Sequence, residues 1–250
     1  MHGRKLTAVL IFIVFSILYI WTMCPTIYTM DNGELIVAAY KLQIAHPTGY
    51  PLFCLLGKLS TIVIPFGSIA WRINAMNALV SAAAVMMLFM ALSEISKRRV
   101  AVFTAALFGV SPIFWEIATS AEAHALTGLF ISTELWLFLR WRKCRDNRLL
   151  YWLALVAGLS LTNHMTAALV LPAILIGILM VDKTAILNWR FMTRAALLCI
   201  LPLSLYAYLP IRAEASIGSI WGDIYKSSGF IDHVTGKVFR SRMFSLPASM

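Results

Sequence analysis

Charged side chains are scarce in this sequence. Asp, Glu, Lys and Arg together make up 13% of the 250 residues, whereas hydrophobic residues make up 60% and the mean hydropathy is +0.81. A soluble domain is about one quarter charged and about half apolar. Because no soluble fold of this length can bury so large an apolar fraction, the lipid bilayer must act as the solvent for most of the chain.

The sequence also lacks the cysteine patterns of zinc sites and disulfide frameworks. Its four cysteines form no Cys-x-x-Cys pair and no metal-ligand spacing; they are Cys24, Cys54, Cys144 and Cys199. Cys24 and Cys54 could share a compartment and form one disulfide, but four free thiols is the favoured prediction. Residues 21–23 lack the small side chains of a cleavage site, so the first apolar run is interpreted as a retained helix.

Nucleic-acid-binding motifs are missing too, although the net charge is +10. The basic residues stand in short clusters between apolar runs, which indicates membrane topology. With the N-terminus in the cytoplasm, the positive-inside rule places most of the 21 Lys and Arg residues on the cytoplasmic side. Acids and histidines show the opposite skew: predicted outside are Asp31, Glu34, Glu116, Glu122, Glu214, Asp223 and Asp232, with His46, His124, His164 and His233.

About seven apolar runs are long enough, or nearly so, to span the hydrocarbon core. They are 6–23, 73–92, 100–117, 125–139, 149–161, 165–181 and 195–209. Two of them, 125–139 and 149–161, are short, so six spans remain an alternative if 149–181 forms one bent hairpin. We predict an all-α, polytopic membrane helical bundle. Residues 1–210 would form its transmembrane module, and residues 211–250 a non-cytoplasmic segment.

The predicted outer loop 24–72 is too long for a tight turn. Apolar residues recur with helical spacing over 35–42 and again over 52–63, on either side of the segment 46–51. Both patterns are too short to span a bilayer. They predict two amphipathic helices that lie in the membrane interface.

Two acids and a histidine in this loop are the first candidates for chemistry. Asp31 follows the first span, where a carboxylate can act as general base on a hydroxyl or bind a metal. Asp31 and Glu34 also have the spacing of a helix N-terminal capping box, and the two interpretations are compatible. His46 precedes a Pro- and Gly-rich turn; it could donate to a phosphate, orient Asp31, or be only a polar turn residue.

Other polar residues border the remaining outside turns. Glu116, Glu122 and His124 flank one turn and residues 163–166 form another; ionisable groups at membrane depth are functional candidates, although interfacial ones are often only solvated. Glu134 lies within a helix, where a hydrogen bond to a neighbouring polar group and a structural role are predicted. Four basic residues after the last span could bind a phosphate leaving group or only lipid headgroups: Arg212, Lys237, Arg240 and Arg242.

A block Asp-x-Gly-Glu followed by His-Pro-x-Gly-Tyr-Pro is more specific than any single residue. It covers 31–35 and 45–52, and further motifs occupy 70–74, 120–122, 163–166, 208–212, 221–223 and 233–236. Together these stretches resemble the GT-C superfamily of glycosyltransferases. More specifically, they resemble the family of transmembrane protein 260, a eukaryotic protein O-mannosyltransferase, with its bacterial relatives.

The resemblance implies roles for particular residues. It implies that Asp31 is the catalytic acid/base and that Glu34 and His46 belong to the same site. Substrate-binding roles carry over to Tyr50, Arg72, Glu122, Asn163, His164, Arg212, Trp221, Asp223 and His233. The chain departs from the family pattern at Ile224, where relatives often have proline, and at His124, where a tyrosine is common.

The function implied is transfer of a sugar, here mannose, from a polyprenyl-phosphate carrier to a hydroxyl, namely protein Ser or Thr, on the non-cytoplasmic face. No cofactor and no metal ligand is predicted, and dependence on a divalent cation stays an open alternative. The bacterial inner membrane is the expected location, or the endoplasmic reticulum membrane for a eukaryotic source. Relatives continue beyond the equivalent of Met250, so a fragment, a truncated product or a minimal member is expected. A non-catalytic membrane subunit therefore stays an alternative, and a lipid or solute transporter is a weaker one because the polar groups gather at one face.

Overall fold

A computed structural model of the protein describes residues 2–184, 188–215, 221, 224 and 227–239. Throughout these residues the regular structure is helical and no strand occurs, which confirms the all-α prediction. The α-helices, numbered in chain order, are α1 (His2–Thr22), α2 (Asn32–Lys41), α3 (Pro51–Val63), α4 (Ile69–Leu92), α5 (Arg98–Gly109), α6 (Pro112–Thr119), α7 (Ala123–Cys144), α8 (Arg148–Leu161), α9 (Leu171–Val181), α10 (Trp189–Leu203), α11 (Tyr208–Ala215) and α12 (Ser227–Val234). Short 3-10 helices occupy Met165–Leu169 and Ser204–Ala207.

Five long helices pack side by side in the order α1, α4, α7, α8 and α10. Polar contacts show that α1 runs antiparallel to α4, whereas α7 runs parallel to α4. Arg4 at the start of α1 meets Glu94 just after α4, whereas Asn74 near the start of α4 donates to the carbonyl of Cys24 beyond α1. Arg140 near the end of α7 also approaches Glu94. The bundle therefore has two distinct ends, one marked by Glu94 and the other by the loops that follow α1 and precede α7.

Small side chains let the neighbours of α4 approach closely. Ala78, Ser81, Ala82 and Ala84 of α4 are all fully buried. Close approach of helix backbones at small residues is the usual packing device of membrane helices, where the hydrophobic effect between helices is absent. Among the large side chains that neighbouring helices contribute is Tyr19 of α1, whose hydroxyl donates to the Gly109 carbonyl at 2.7 Å.

Within the described residues, three helical segments are long and apolar enough to cross a membrane: Gly3–Thr22, Ile69–Leu92 and Trp189–Ala213. A fourth crossing is formed if α5 and α6, which meet at an angle of 65°, count as one broken span. The break corrects the straight run predicted over 100–117; Pro112 opens α6 and interrupts the helix before it. The remaining apolar helices are shorter, so the count of seven stays a prediction.

Two helices occupy the loop between α1 and α4, as the apolar periodicity predicts. α2 buries Leu35, Ile36 and Ala39 against α3, and α3 in turn packs on α4. Their placement in a membrane interface stays a prediction, as does the division of the chain at residue 210.

Two further sequence predictions are confirmed. Ser160 of α8 donates to the fully buried Glu134 carboxylate of α7 at 2.9 Å, which is the structural hydrogen bond expected. All four cysteines are free thiols. Three residues singled out in the sequence, Asp223, Arg240 and Arg242, lie outside the described residues.

Candidate active site

Asp31 stands at the N-terminal boundary of α2, but it does not cap the helix. Its side chain accepts no hydrogen bond from the first turn, and the side chain is 60% exposed. The capping-box prediction is therefore wrong in its side-chain contacts, although the position of the helix start is right. The physical reason is that the backbone of Asp31 is in the αR conformation (φ −79°, ψ −4°), whereas a residue that caps a helix through its side chain is typically extended. Asp31 presents its carboxylate to the surface.

Glu34 holds His46 through two atoms. One carboxylate oxygen accepts the backbone N–H of His46 at 2.7 Å, and the other lies 3.3 Å from the ring Nδ1. A side-chain hydrogen bond from Trp221 reaches the same carboxylate. Glu34 thus fixes both the backbone and the ring orientation of His46, twelve residues further along the chain.

The second nitrogen of His46 faces the other polar groups of the site. Nε2 lies 2.9 Å from the Tyr50 hydroxyl and 3.7 Å from a carboxylate oxygen of Asp31. The Tyr50 hydroxyl also donates toward the Pro47 carbonyl at 3.2 Å. His46 is therefore placed between two carboxylates, with one ring nitrogen toward each.

The turn before α3 brings the His46 and Tyr50 rings together. Gly49 and Tyr50 both have positive φ values, 88° and 43°, and Pro51 then begins α3. A left-handed conformation is easy for glycine and strained for tyrosine. A Cβ at Gly49 would lie 2.8 Å from the Leu209 side chain and 3.2 Å from His233 Nε2. Both conformation and space thus require glycine here.

The two charged partners stabilise each other's ionised form. Burial alone would raise the pKa of Glu34, but its hydrogen bonds and the charge of His46 outweigh burial and lower it. Burial would lower the pKa of His46, yet the Glu34 hydrogen bond and the charges of Glu34, Asp31 and Glu122 raise it. The pair therefore favours a carboxylate at Glu34 and an imidazolium at His46.

A second pair of histidines extends the aromatic surface beyond Tyr50. The His164 ring stacks on Tyr50 with centroids 5.6 Å apart at an interplanar angle of 14°, and His124 lies 4.6 Å from His164. Burial and the neighbouring His124 and His46 lower the pKa of His164 to about 4. His164 is thus a neutral ring at physiological pH. His124 is half exposed and lies 3.4 Å from the Glu122 carboxylate.

Three buried asparagines hold the backbone around the site. Asn74 donates to the carbonyls of Cys24 and Thr26 at 2.7 and 2.9 Å and accepts the Ala121 N–H at 2.9 Å. Asn77 donates to the carbonyls of Ile117 and Ser120 at 2.7 and 2.6 Å. Asn32, beside Asp31, joins the network through Asn74 at 3.3 Å.

These side-chain amides connect the loop after α1 to the loop before α7. They therefore help to position Asp31 at this end of the bundle. Sequence reasoning quoted Asn32 and Asn74 only inside family motifs and missed Asn77. The available signal was the spacing of Asn74 and Asn77, one helical turn apart in an otherwise apolar helix.

A cavity of about 550 Å³ opens beside these side chains. Polar groups line one part of it, including Asp31, His46, Tyr50, His124 and His164. Apolar groups line the other part, among them Met165, Leu169 and Phe239. Along the part of the chain that the structure describes, no Lys or Arg lines this cavity. Its mixed lining suits a ligand with a polar head and an apolar tail.

Asp31, Glu34 and His46 could also hold a metal ion. One ligand atom from each lies within 4.8 Å of the others. Carboxylate and imidazole ligands suit several divalent cations. However, both His46 nitrogens already face protein groups, so a metal would have to displace Glu34 or Tyr50 from the ring.

Several predicted substrate-binding residues are placed elsewhere. Arg72 donates to the carbonyls of Thr61, Phe66 and Gly67 near the end of α3. Arg212 donates to the carbonyls of Lys41 and Leu42 at the end of α2. The buried Asn163 donates to the Ala123 carbonyl and the Thr127 hydroxyl. These contacts join helices, and the predicted substrate roles of these three residues stay untested.

Two residues from the last described segment do reach the site. The Trp221 ring packs edge-on to His46 with centroids 6.1 Å apart. His233 is buried, with Nε2 3.1 Å from the Ala45 carbonyl, and burial lowers its pKa. The chain after α10 therefore returns to the loop between α1 and α4, which no local sequence pattern indicates.

The chain is similar in sequence to known proteins. Residues 31–187 match the model of the protein O-mannosyl-transferase TMEM260 N-terminal domain. Protein O-mannosyl-transferase TMEM260 of Mus musculus is 33% identical over 213 residues, which cover 81% of this chain. The Dictyostelium discoideum protein of the same name is 26% identical over 243 residues, covering 90% of the chain. The chain spans 30% of the length of each relative. No solved structure matches significantly.

Proposed function

The chain belongs to the TMEM260 family of protein O-mannosyl-transferases, and on this premise we propose that it transfers mannose from a lipid-phosphate carrier to a hydroxyl of a protein. The observation that carries the proposal is the placement of Asp31. Its exposed carboxylate lies at the rim of the 550 Å³ cavity, 3.7 Å from His46 and uninvolved in capping α2.

Asp31 is the general base in this proposal. The acceptor hydroxyl gives its proton to the Asp31 carboxylate while its oxygen forms a bond to the anomeric carbon of mannose. The bond between that carbon and the phosphate oxygen breaks, and the phosphate leaves with the electron pair. Glu34 is committed to His46 through both oxygens, so Asp31 is the carboxylate that is open to the acceptor.

His46 offsets the charge of the departing phosphate. Its protonated form is favoured by Glu34 and Asp31, and the ring lines the cavity. A fixed cation beside a developing negative charge stabilises the transition state without reorganisation of solvent. The half-exposed ring of His124 lines the same cavity and is a second candidate partner for the phosphate. Arg212, predicted in this role from the sequence, donates to backbone carbonyls at the end of α2, and its role toward the phosphate stays a prediction.

The proposed donor is a polyprenyl-phosphate sugar, and the joined polar and apolar surfaces of the cavity support this choice. The sugar and phosphate would lie against Asp31, His46 and the histidines, and the isoprenoid chain would leave past Met165, Leu169 and Phe239. Leu169 is 79% exposed, which suits contact with lipid. The proposed setting is a GT-C-like bundle of about seven spans. Its active face would be non-cytoplasmic, in the bacterial inner membrane or the endoplasmic reticulum.

The test is transfer of radiolabelled mannose from polyprenyl-phosphate mannose to membrane protein, with the full chain expressed in membranes. Asp31→Asn should lower the rate by about 10²- to 10⁴-fold, the usual contribution of a general base. Glu116→Gln is the matched control. It removes an exposed carboxylate at the same end of the bundle but lies in a different cavity, beside Trp115 and Cys24.

Equal activity of the Asp31→Asn and Glu116→Gln variants would remove Asp31 from the mechanism. Absence of transfer by the wild-type chain would contradict enzymatic activity of this chain and support a non-catalytic membrane subunit.

A further inference from the structure

A second group of charged side chains lies at the end of the bundle opposite to Asp31. Its centre is Glu94, which follows α4 and is 4% exposed. The carboxylate accepts a hydrogen bond from Arg4 of α1, and Arg140 and Lys143 of α7 approach it to 3.8 and 3.4 Å. Between this end of the bundle and the end that carries Asp31 runs α4, whose 24 residues make it about 36 Å long.

The cations outnumber the acid that they surround. A cavity of about 120 Å³ between α1, α4 and α7 is lined by Arg4, Lys5 and Arg140 on the basic side and by Glu94 alone on the acidic side. Met90 and Trp136 complete its wall. The single carboxylate cannot neutralise three cations, so the cavity keeps a net positive charge.

Two hydrogen-bond donors that belong to this wall have no acceptor among the residues that the structure describes. Arg4 Nε and Trp136 Nε1 are both buried, and neither makes a hydrogen bond. Each group can only donate. Buried polar atoms normally have partners, so two such donors in one cationic cavity indicate a ligand that brings acceptor oxygens and negative charge. A phosphate group has both properties.

The position of the cavity favours a phosphate that is attached to lipid. It lies where α1 begins and α4 ends, and both helices are candidate membrane spans. The neighbours of the charged residues along the chain are apolar and exposed: Leu6 is 62% and Ile95 56% exposed. Basic pockets between membrane helices are known to suit anionic headgroups. We propose that this cavity binds the phosphate of an anionic lipid, independently of the site around Asp31.

The test measures lipid retained by the purified full chain. The protein is reconstituted in nanodiscs of phosphatidylcholine with a minor fraction of phosphatidylglycerol, extracted into neutral detergent and analysed by native mass spectrometry. Wild type should retain phosphatidylglycerol in preference to phosphatidylcholine. Arg140→Gln should reduce this retention several-fold. Arg142→Gln, which removes an exposed cation two residues away that does not line the cavity, should leave it unchanged.

Trp136→Phe is a second variant that keeps the ring and removes only the unpartnered N–H. It should reduce retention of phosphatidylglycerol without lowering the midpoint of thermal unfolding. An unchanged midpoint shows that the lipid is lost because the N–H is absent and not because the protein is misfolded. Equal retention by wild type, Arg140→Gln and Arg142→Gln would overturn the proposal, as would equal retention of the two lipids by wild type.

A parallel measurement separates a lipid from free phosphate. The unfolding midpoint is compared in sodium phosphate and in sodium chloride of equal ionic strength. No phosphate-specific shift, with preferential retention of phosphatidylglycerol, supports the lipid as ligand. The other outcome is that phosphate raises the unfolding midpoint of wild type but not of Arg140→Gln, while phosphatidylglycerol is not retained in preference. The cavity would then bind free phosphate, and the proposal of a lipid ligand would be overturned.

Discussion

The carboxylate of Glu34 binds His46 at two points, its backbone N–H at 2.7 Å and its ring Nδ1 at 3.3 Å. This double contact orients the imidazole so that its other nitrogen faces Tyr50 and Asp31. The ionised state of His46 and the position of the ring thus depend on one side chain from α2.

Replacement of Glu34 by Gln should change the pH dependence of mannose transfer. Burial lowers the pKa of His46, and the Glu34 carboxylate counteracts this effect. Without the Glu34 charge only Asp31 and Glu122 counteract it, so the pKa of His46 falls. The alkaline limb of the pH–rate profile should then move to lower pH. The profile measured in membranes, together with the pH dependence of His46 modification by diethylpyrocarbonate, checks this. An unmoved alkaline limb would show that His46 does not act as a cation.

The same pair should also make stability depend on pH. The pKa of Glu34 is lowered in the folded state, so its contribution is present above the unfolded value and is lost as the pH falls through the folded pKa. The pKa of His46 is raised, so its contribution is present below the unfolded value and is lost as the pH rises through the folded pKa. The stability difference between wild type and Glu34→Gln should therefore be largest between about pH 5 and pH 6, bounded by the ordinary pKa values of Glu and His.

Tyr50→Phe should reduce transfer while leaving the fold intact. The hydroxyl contacts His46 Nε2 at 2.9 Å, whereas stacking on His164 needs only the ring. Loss of one hydrogen bond of this kind corresponds to about 1 kcal/mol, or about five-fold in rate if it acts fully on the transition state. Tyr40→Phe, whose ring lies under Lys58 away from the cavity, is the control. Wild-type activity of Tyr50→Phe would mean that the hydroxyl does not position His46.

Gly49→Ala should destabilise the protein by more than about 1 kcal/mol, because the backbone has positive φ and the new methyl group meets Leu209 and His233. Gly128→Ala is the matched control within α7. Its methyl group would lie 3.3 Å from the Phe114 ring, and helix propensity favours alanine. Unfolding by detergent titration should separate the two variants; equal midpoints would contradict a steric requirement at Gly49.

Asn74→Ala should lower the free energy of unfolding by about 2–4 kcal/mol, since it leaves several buried backbone groups without a partner. Asn74→Asp keeps the acceptor for the Ala121 N–H but sets an oxygen against the carbonyls of Cys24 and Thr26 at a buried position, so it should not restore the lost stability. A loss below about 0.5 kcal/mol for the alanine variant would show that the asparagine network is dispensable.

The sequence was sufficient for the helical class, for α2 and α3 in the loop after α1, and for the grouping of Asp31, Glu34 and His46. Periodicity and a specific family motif report these features directly. Apolar content over the run 100–117 does not reveal the 65° break between α5 and α6, although Pro112 marks its position.

Other features depend on packing that local patterns do not contain. Glu34 has the spacing of a capping box with Asp31, yet its carboxylate binds His46. The turn at 46–50 brings His46 to Glu34. Arg212 has the chemistry of a phosphate ligand, but the return of the chain after α10 places it on carbonyls of Lys41 and Leu42. In both cases the residue type indicates a polar contact, but the partner in that contact depends on the tertiary structure.

The asparagines of α4 join the reactive loop to a helix at the centre of the bundle, and this has a consequence for motion. Opening of residues 24–32 must break amide contacts anchored in α4, so the loop cannot fluctuate as an independent lid. It forms one cooperative unit with the core. Backbone amides of this loop with internal acceptors, such as the Cys24 N–H bonded to Thr119, should therefore exchange with deuterium only as slowly as the core itself opens.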